Sequence, residues 1–167
     1  MKLRPYIPEK DFDIIKNWLP DERAHAMWCG SRFSFPIEKE NFHAVLKEHA
    51  ENYGDRPFAA ADDNGRITGF FCISINTDTK AAFLRFVVVD PAIRGKGIGR
   101  QMIELAVEHA LEADNARCVQ LCVFAENESA VRCYTTAGFE LVSKTPQAYE
   151  FNGEKFCRCF MEYKKQM

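Results

Sequence analysis

Long hydrophobic runs are missing from this chain. No apolar stretch is long enough to span a bilayer, and the opening MKLRPYIPEKD is too polar for a signal peptide. An excess of one charge is missing too. Lys and Arg number 22 against 24 Asp and Glu, a net charge of −2, so there is no generic surface for nucleic acid or anionic lipid. No internal repeat, low-complexity tract or linker breaks the 167 residues, and a single domain over 1–167 is expected. No second C-x-x-C or H-E-x-x-H accompanies Cys157-Arg-Cys159, and the four histidines have no ligand spacing, so no metal is expected. Cysteine itself is not scarce. The seven are an odd number and sit mostly in apolar runs, which favours reduced thiols in a cytoplasmic protein over a disulfide framework.

What is present suits a globular domain. At 47% apolar and 28% charged residues, a chain of this length buries a core without staples. Residues 2–7 read as a first strand. Asp11 is placed to cap a helix, DFDIIKNWL, which Pro20 ends. Residues 21–36 show no clean period and read as loop or short helical pieces, before a helix over 37–50. Asn64-Gly65 predicts a hairpin between strands at 57–62 and 66–76, followed by a strand at 81–89. A helix over 98–112, a strand over 117–124 and a short helix over 129–137 follow, the last ended by Gly138. FELVSK and 148–151 read as extended, and Asn152-Gly153 turns the chain into a last strand. Hairpins mixed with helices imply an α+β sandwich, a mainly antiparallel sheet covered by helices.

One stretch carries chemistry. VDPAIRGKGIG, residues 89–99, links a strand to a helix and holds Arg94 and Lys96, with Arg100 next. A dinucleotide loop needs G-x-G-x-x-G early in a β-α-β-α-β fold. Here the glycines give G-x-G-x-G after several strands. A Walker loop needs G-x-x-x-x-G-K-[ST], which is absent. What remains is a glycine-rich turn whose amides, helix terminus and basic side chains suit a pyrophosphate. The plain alternative is a tight turn with solvated basic residues.

V-D-P-A-I-R-G-K-G-I-G-R resembles the acetyl-coenzyme A motif of the GNAT superfamily of N-acetyltransferases. N-E-S-A-V-R-C-Y-T-T-A-G-F, at 127–139, resembles that superfamily's N-x-x-A-x-x-x-Y-x-x-x-G-F segment. The resemblance implies an α/β/α sandwich with a mixed, mainly antiparallel sheet splayed between its fourth and fifth strands, helices on both faces, and acetyl-CoA in the gap. It implies that the Val87, Val88 and Val89 stretch binds the pantetheine arm through the backbone of Val87 and Val89. Arg94, Gly95, Lys96, Gly97, Ile98, Gly99 and Arg100 would hold the pyrophosphate, and Asn127 would touch the pantetheine. Tyr134 would sit at the thioester sulfur as the general acid.

The implied reaction is direct acetyl transfer from acetyl-CoA to an amine of a small molecule, peptide or protein. The amine must attack in its neutral form, although a free alkyl amine has a pKa of about 10. No base is evident. The superfamily's ribosomal-protein branch has a glutamate on the fifth strand, where this chain has Cys122, and the fourth strand offers only Arg85. Asp21, Glu22, His25 and Glu126 are candidates by location alone. The acceptor pocket is expected from the 21–36 region and the last hairpin, with Trp28, Phe33, Phe35, Tyr149 and Phe151 as candidates, each equally able to be core. The alternative reading is a non-catalytic acyl-CoA-binding or sensory module. No nucleic-acid or membrane partner is expected, and a homodimer is left open.

Overall fold

The structure, a computed structural model, describes residues 1–166. Its sheet has seven strands: β1 (Lys2–Pro5), β2 (Arg56–Ala61), β3 (Ile67–Ile75), β4 (Ala81–Val89), β5 (Cys118–Phe124), β6 (Glu140–Phe151) and β7 (Glu154–Lys164). They lie in the order β1-β2-β3-β4-β5-β7-β6. Both Asn-Gly pairs make the hairpins their chemistry demands, at β2–β3 and β6–β7. Every neighbouring pair is antiparallel except β4 and β5, which the crossover helix α4 (Ile98–Glu112) makes parallel.

The parallel pair is short. It runs only from Ala81 opposite Cys118 to Leu84 opposite Leu121. Beyond that point β5 stays with β7 as far as Phe124 opposite Arg158, while β4 continues to Val89 alone on that side. The two strands therefore part, as the resemblance implies. At the parting β4 also bulges. Its register against β3 shifts between Phe70 and Cys72, and Phe86 takes a left-handed φ of 53°.

Helices cover both faces. α4 and α5 (Glu128–Thr136) put Met102, Ile103, Ala106 and Tyr134 against Phe71, Leu84 and Leu121. On the other face, α1 (Pro8–Ile15), α2 (Glu22–Cys29) and α3 (Lys39–Tyr53) put Phe12, Ile15, Cys29, Phe42 and Leu46 against Phe70, Cys72, Phe86 and Val88. The α/β/α sandwich is borne out. Among the described residues, no helix is long and apolar enough to cross a membrane. All seven cysteines are free, with Cys29, Cys72 and Cys159 buried.

Two local readings need correction, and one alternative is decided: of loop or short helical pieces over 21–36, residues 22–29 form a helix. Asp21 caps it by accepting the Ala24 N–H at 2.8 Å, and Gly30 closes it at φ 58°. Asp11 does not begin a helix. α1 starts at Pro8, and the buried Asp11 carboxylate accepts the Ile7 N–H at 2.7 Å while pairing with both terminal nitrogens of Arg4 at 2.7 and 2.8 Å. Last, 140–151 is one strand whose register slips between Thr145 and Tyr149.

Candidate active site

The parting of β4 and β5 opens a cavity of about 610 Å³. Its walls come from four places: β4 from Leu84 to Val89, the turn and first residues of α4, the tip of β5 at Leu121–Val123, and α5. Leu19, Ala24, Met27 and Trp28 close one end.

The β4 edge is the first wall. The Asp90 N–H donates to Thr68 O at 3.0 Å, so the backbone of Asp90, and of Val88 by two-residue alternation, faces β3. Val87 and Val89 then turn their N–H and C=O groups to the open side, and the Val89 carbonyl accepts Arg94 Nη2 at 3.4 Å. Phe86 makes this possible at a cost. A left-handed φ in a phenylalanine is strained by about 1–3 kcal/mol and persists only when its surroundings over-determine it. Here the ring is packed against Phe33 at 4.7 Å, His49 at 5.0 Å and Trp28 at 6.0 Å, centroid to centroid.

The glycine-rich turn is the second. Asp90 starts it by accepting the Ala92 N–H at 2.9 Å through one oxygen and Arg66 at 2.7 Å through the other. Gly95 and Gly97 follow at φ 80° and 78°, a region closed to most side chains. No side chain caps α4. Among the described residues, the backbone N–H groups of 94–100 find no acceptor within the chain. A run of unpaired amides at a helix N-terminus is an anion site. Arg94, Arg100 and Arg132 add charge around it, with Arg100 partly offset by Glu104 at 2.7 Å. Lys96 does not line the cavity.

The third is α5. Asn127 lines the cavity and caps this helix, its Oδ1 accepting the Ala130 N–H at 3.4 Å. Tyr134, about two turns further on, is 7% exposed and lines the same cavity. Burial, followed by the neighbouring Cys133, pushes its phenol well above the ordinary tyrosine value, so it stays protonated.

The aromatic candidates for the acceptor divide. Trp28 lines the cavity, with its indole N–H buried and without an acceptor among the described residues. Phe33 does not line it. At 2% exposure it is core, stacked between Trp28 at 5.1 Å and Phe42 at 4.8 Å. Phe35 is exposed beside His25, and Tyr149 stacks on Phe124 and Phe156 with its hydroxyl on Ser31. Neither lines the cavity, and nor does Phe151.

Three of the four base candidates are engaged elsewhere. Asp21 caps α2, both Glu126 oxygens accept the Cys157 N–H at 3.0 and 3.1 Å, and His25 is buried against Cys29. Neither Glu22 nor any other described carboxylate or histidine lines the cavity. Cys122 does. It is exposed at the surface, and partial burial raises its thiol despite Arg158 and Arg85 nearby, which disfavours the thiolate at neutral pH. Met27, Ser129 and Arg132 are lining residues that sequence reasoning missed. The capping signals of α2 and the spacing of Ser129 and Arg132 on the Tyr134 helix are the signs that point to them.

This geometry has known counterparts. The acetyltransferase (GNAT) family model matches residues 14–139, most of the chain. The chain belongs to the GNAT acetyltransferase family. The resemblance read from 89–100 and 127–139 is therefore borne out. An uncharacterized N-acetyltransferase of Methanocaldococcus jannaschii is 34% identical over 88 residues, 50% of this chain but only 38% of that protein's length. The 5-NmdU N-acetyltransferase of Pseudomonas phage PaMx11 is 25% identical over 132 residues, 79% of this chain and 90% of the relative. The spermidine N-acetyltransferase of Vibrio cholerae, solved with CoA and spermine, superposes with a TM-score of 0.81 at 22% identity, covering 98% of this chain and 94% of that one. At that identity the likeness concerns the fold.

Proposed function

We propose that this chain is an acetyl-CoA-dependent N-acetyltransferase, a single domain of the cytoplasm that acetylates an amine on a small molecule, peptide or protein. The observation that carries the reading is the open β4 edge, the unpaired amides at 94–100 and Tyr134 meeting in one cavity in a member of the GNAT family. Acetyl-CoA supplies an acyl group already activated as a thioester. The residues present fit such a molecule. Amides 94–100 with Arg94 and Arg132 match a pyrophosphate, and the free groups of Val87 and Val89 match the amides of a pantetheine arm as an added strand would. The Val87 N–H is the donor placed to stabilise charge on a carbonyl oxygen. A protonated Tyr134 gives a hydrogen bond to a departing thiolate. Its raised pKa makes it a stabiliser of that anion more than a source of a freely transferred proton.

Among the described residues, no carboxylate or histidine lines the cavity, which has a direct consequence. The chain does not deprotonate its substrate through a lining residue, so the neutral fraction of the amine, or water, does that part. An acyl-cysteine route through Cys122 is disfavoured by its protonated thiol. The test is calorimetric titration with acetyl-CoA, followed by thiol release across a panel of amines. Cofactor binding with amine-dependent release supports the reading. Binding without release from any amine supports a non-catalytic module instead. No binding overturns both.

A further inference from the structure

A second cavity of about 540 Å³ lies beside the paired part of β4 and β5, between the end of α3, the end of β3 with the turn after it, and the first halves of β4 and β5. Its polar lining is Asn52, Tyr53, Ser74, Asn76, Thr79 and Gln120, with Arg85. Among the described residues, Arg85 is common to both cavities, and no Asp or Glu lines either. The acidic groups behind the walls already have partners. Asp55, 3% exposed, takes Arg85 Nη1 at 2.5 Å on one oxygen and His49 Nδ1 at 3.1 Å on the other. Glu162 takes Gln120 Nε2 at 2.7 Å.

Arg85 is held but not used up. Nη1 bonds Asp55 and, at 3.0 Å, Ser74 Oγ. The guanidinium lies 4.7 Å from the Tyr53 ring and 4.4 Å from the Phe83 ring, which fixes its plane. Nε and Nη2 make no hydrogen bond to a described residue, and a guanidinium carries donors on each of these nitrogens. So a fixed cation with two unpaired nitrogens borders the second cavity beside neutral hydrogen-bonding groups, on a residue that also lines the first. An acceptor bearing a second ammonium group meets the guanidinium there and, among the described lining residues, no carboxylate, since Asp55 is already paired with Arg85 and His49. An acceptor bearing an anion meets a fork built to receive it.

Resting on the acetyltransferase reading, we propose that the acceptor is an amine whose far end carries a carboxylate or similar anion, that this end occupies the second cavity on Arg85, and that polyamines are poor substrates. The Arg85 that stands where a glutamate base was sought is then a specificity residue.

The experiment uses three acceptors with the same straight carbon chain: an ω-amino acid, the matching amino alcohol and the matching diamine. Each is titrated calorimetrically into the full protein saturated with CoA, and thiol release from acetyl-CoA is followed separately with the same three. The ω-amino acid is expected to bind at least about tenfold more tightly than the diamine, with the alcohol between them. Arg85→Gln is expected to erase that difference. Because Arg85→Gln leaves Asp55 with one partner fewer, Asn52→Asp is a second variant. It adds a carboxylate to the second cavity at an exposed helix position, and is expected to weaken the ω-amino acid and strengthen the diamine. A diamine that binds wild type as well as the ω-amino acid, or an unchanged ranking in Asn52→Asp, overturns the proposal. The binding readout stands apart from turnover, so an absence of thiol release counts against the acetyltransferase reading alone.

Discussion

Phe86 shows why some site residues were legible and others not. Nothing in FLRFVVV marks its left-handed φ, because the strain is imposed by Phe33, His49 and Trp28 from distant segments. For the same reason Phe33 reads as a pocket candidate in the sequence and proves to be the support under the bulge. Phe33→Ala is expected to lower stability by about 3–5 kcal/mol, measured by urea unfolding. Unfolding indistinguishable from wild type would show that Phe33 is not core. Tyr134 was legible because a motif of fixed spacing announces it. Its hydroxyl makes no hydrogen bond to another described residue, so Tyr134→Phe removes chemistry and little stability. Turnover is expected to fall roughly ten- to a thousandfold, with acetyl-CoA affinity unchanged by titration. Equal turnover would remove the phenol from the mechanism.

Among elements, the turn into α4 makes the sharpest demand. Gly97 precedes the helix at φ 78°, where a Cβ costs about 1–2 kcal/mol, although open space surrounds it. Gly97→Ala is therefore expected to weaken acetyl-CoA binding about tenfold or more by turning the 94–100 amides, with modest loss of stability. Affinity equal to wild type would show that those amides do not hold the ligand. Strands, hairpins and α4 were readable because each has its own local signal. α2 was not found by period, since Ala24, Ala26 and Cys29 blur the apolar stripe, yet its ends were written as Asp21 and Gly30. α1 shows the reverse, a plausible cap residue claimed by a tertiary partner. Burial alone would raise the Asp11 carboxyl, but the Arg4 hydrogen bonds and the Ile7 N–H hold it below the usual range. Its contribution is thus complete above the unfolded carboxylate value of about 3.9 and is lost as pH falls through the lower folded value. Asp11→Asn is expected to cost about 1–3 kcal/mol at neutral pH and progressively less in acid, read from urea unfolding at several pH values. A loss that stays constant into acid would contradict the ion pair.

At the scale of the molecule, the two-layer covering and the four-residue contact between β4 and β5 produce a gap that neither strand specifies alone. The sequence motifs announced the donor side of that gap because it is made of contiguous segments. The second cavity was illegible because Arg85, Tyr53, Ser74 and Gln120 come together only through the sheet. The lack of a carboxylate or histidine among the described lining residues also shapes the whole pH response. As pH rises from about 6 to 9, the neutral fraction of an amine of pKa about 10 grows tenfold per unit. The kcat/KM for the amine is expected to follow it, and the raised Tyr134 imposes no falling limb in that window. A plateau near neutral pH would reveal a base on the protein. The most direct trial of the account is thiol release from acetyl-CoA, with and without amines, in wild type and Tyr134→Phe, with the acetylated amine identified by mass spectrometry. The account expects amine-dependent release that the variant largely loses. Acetyl-CoA binding with no amine-dependent release from any acceptor would contradict it.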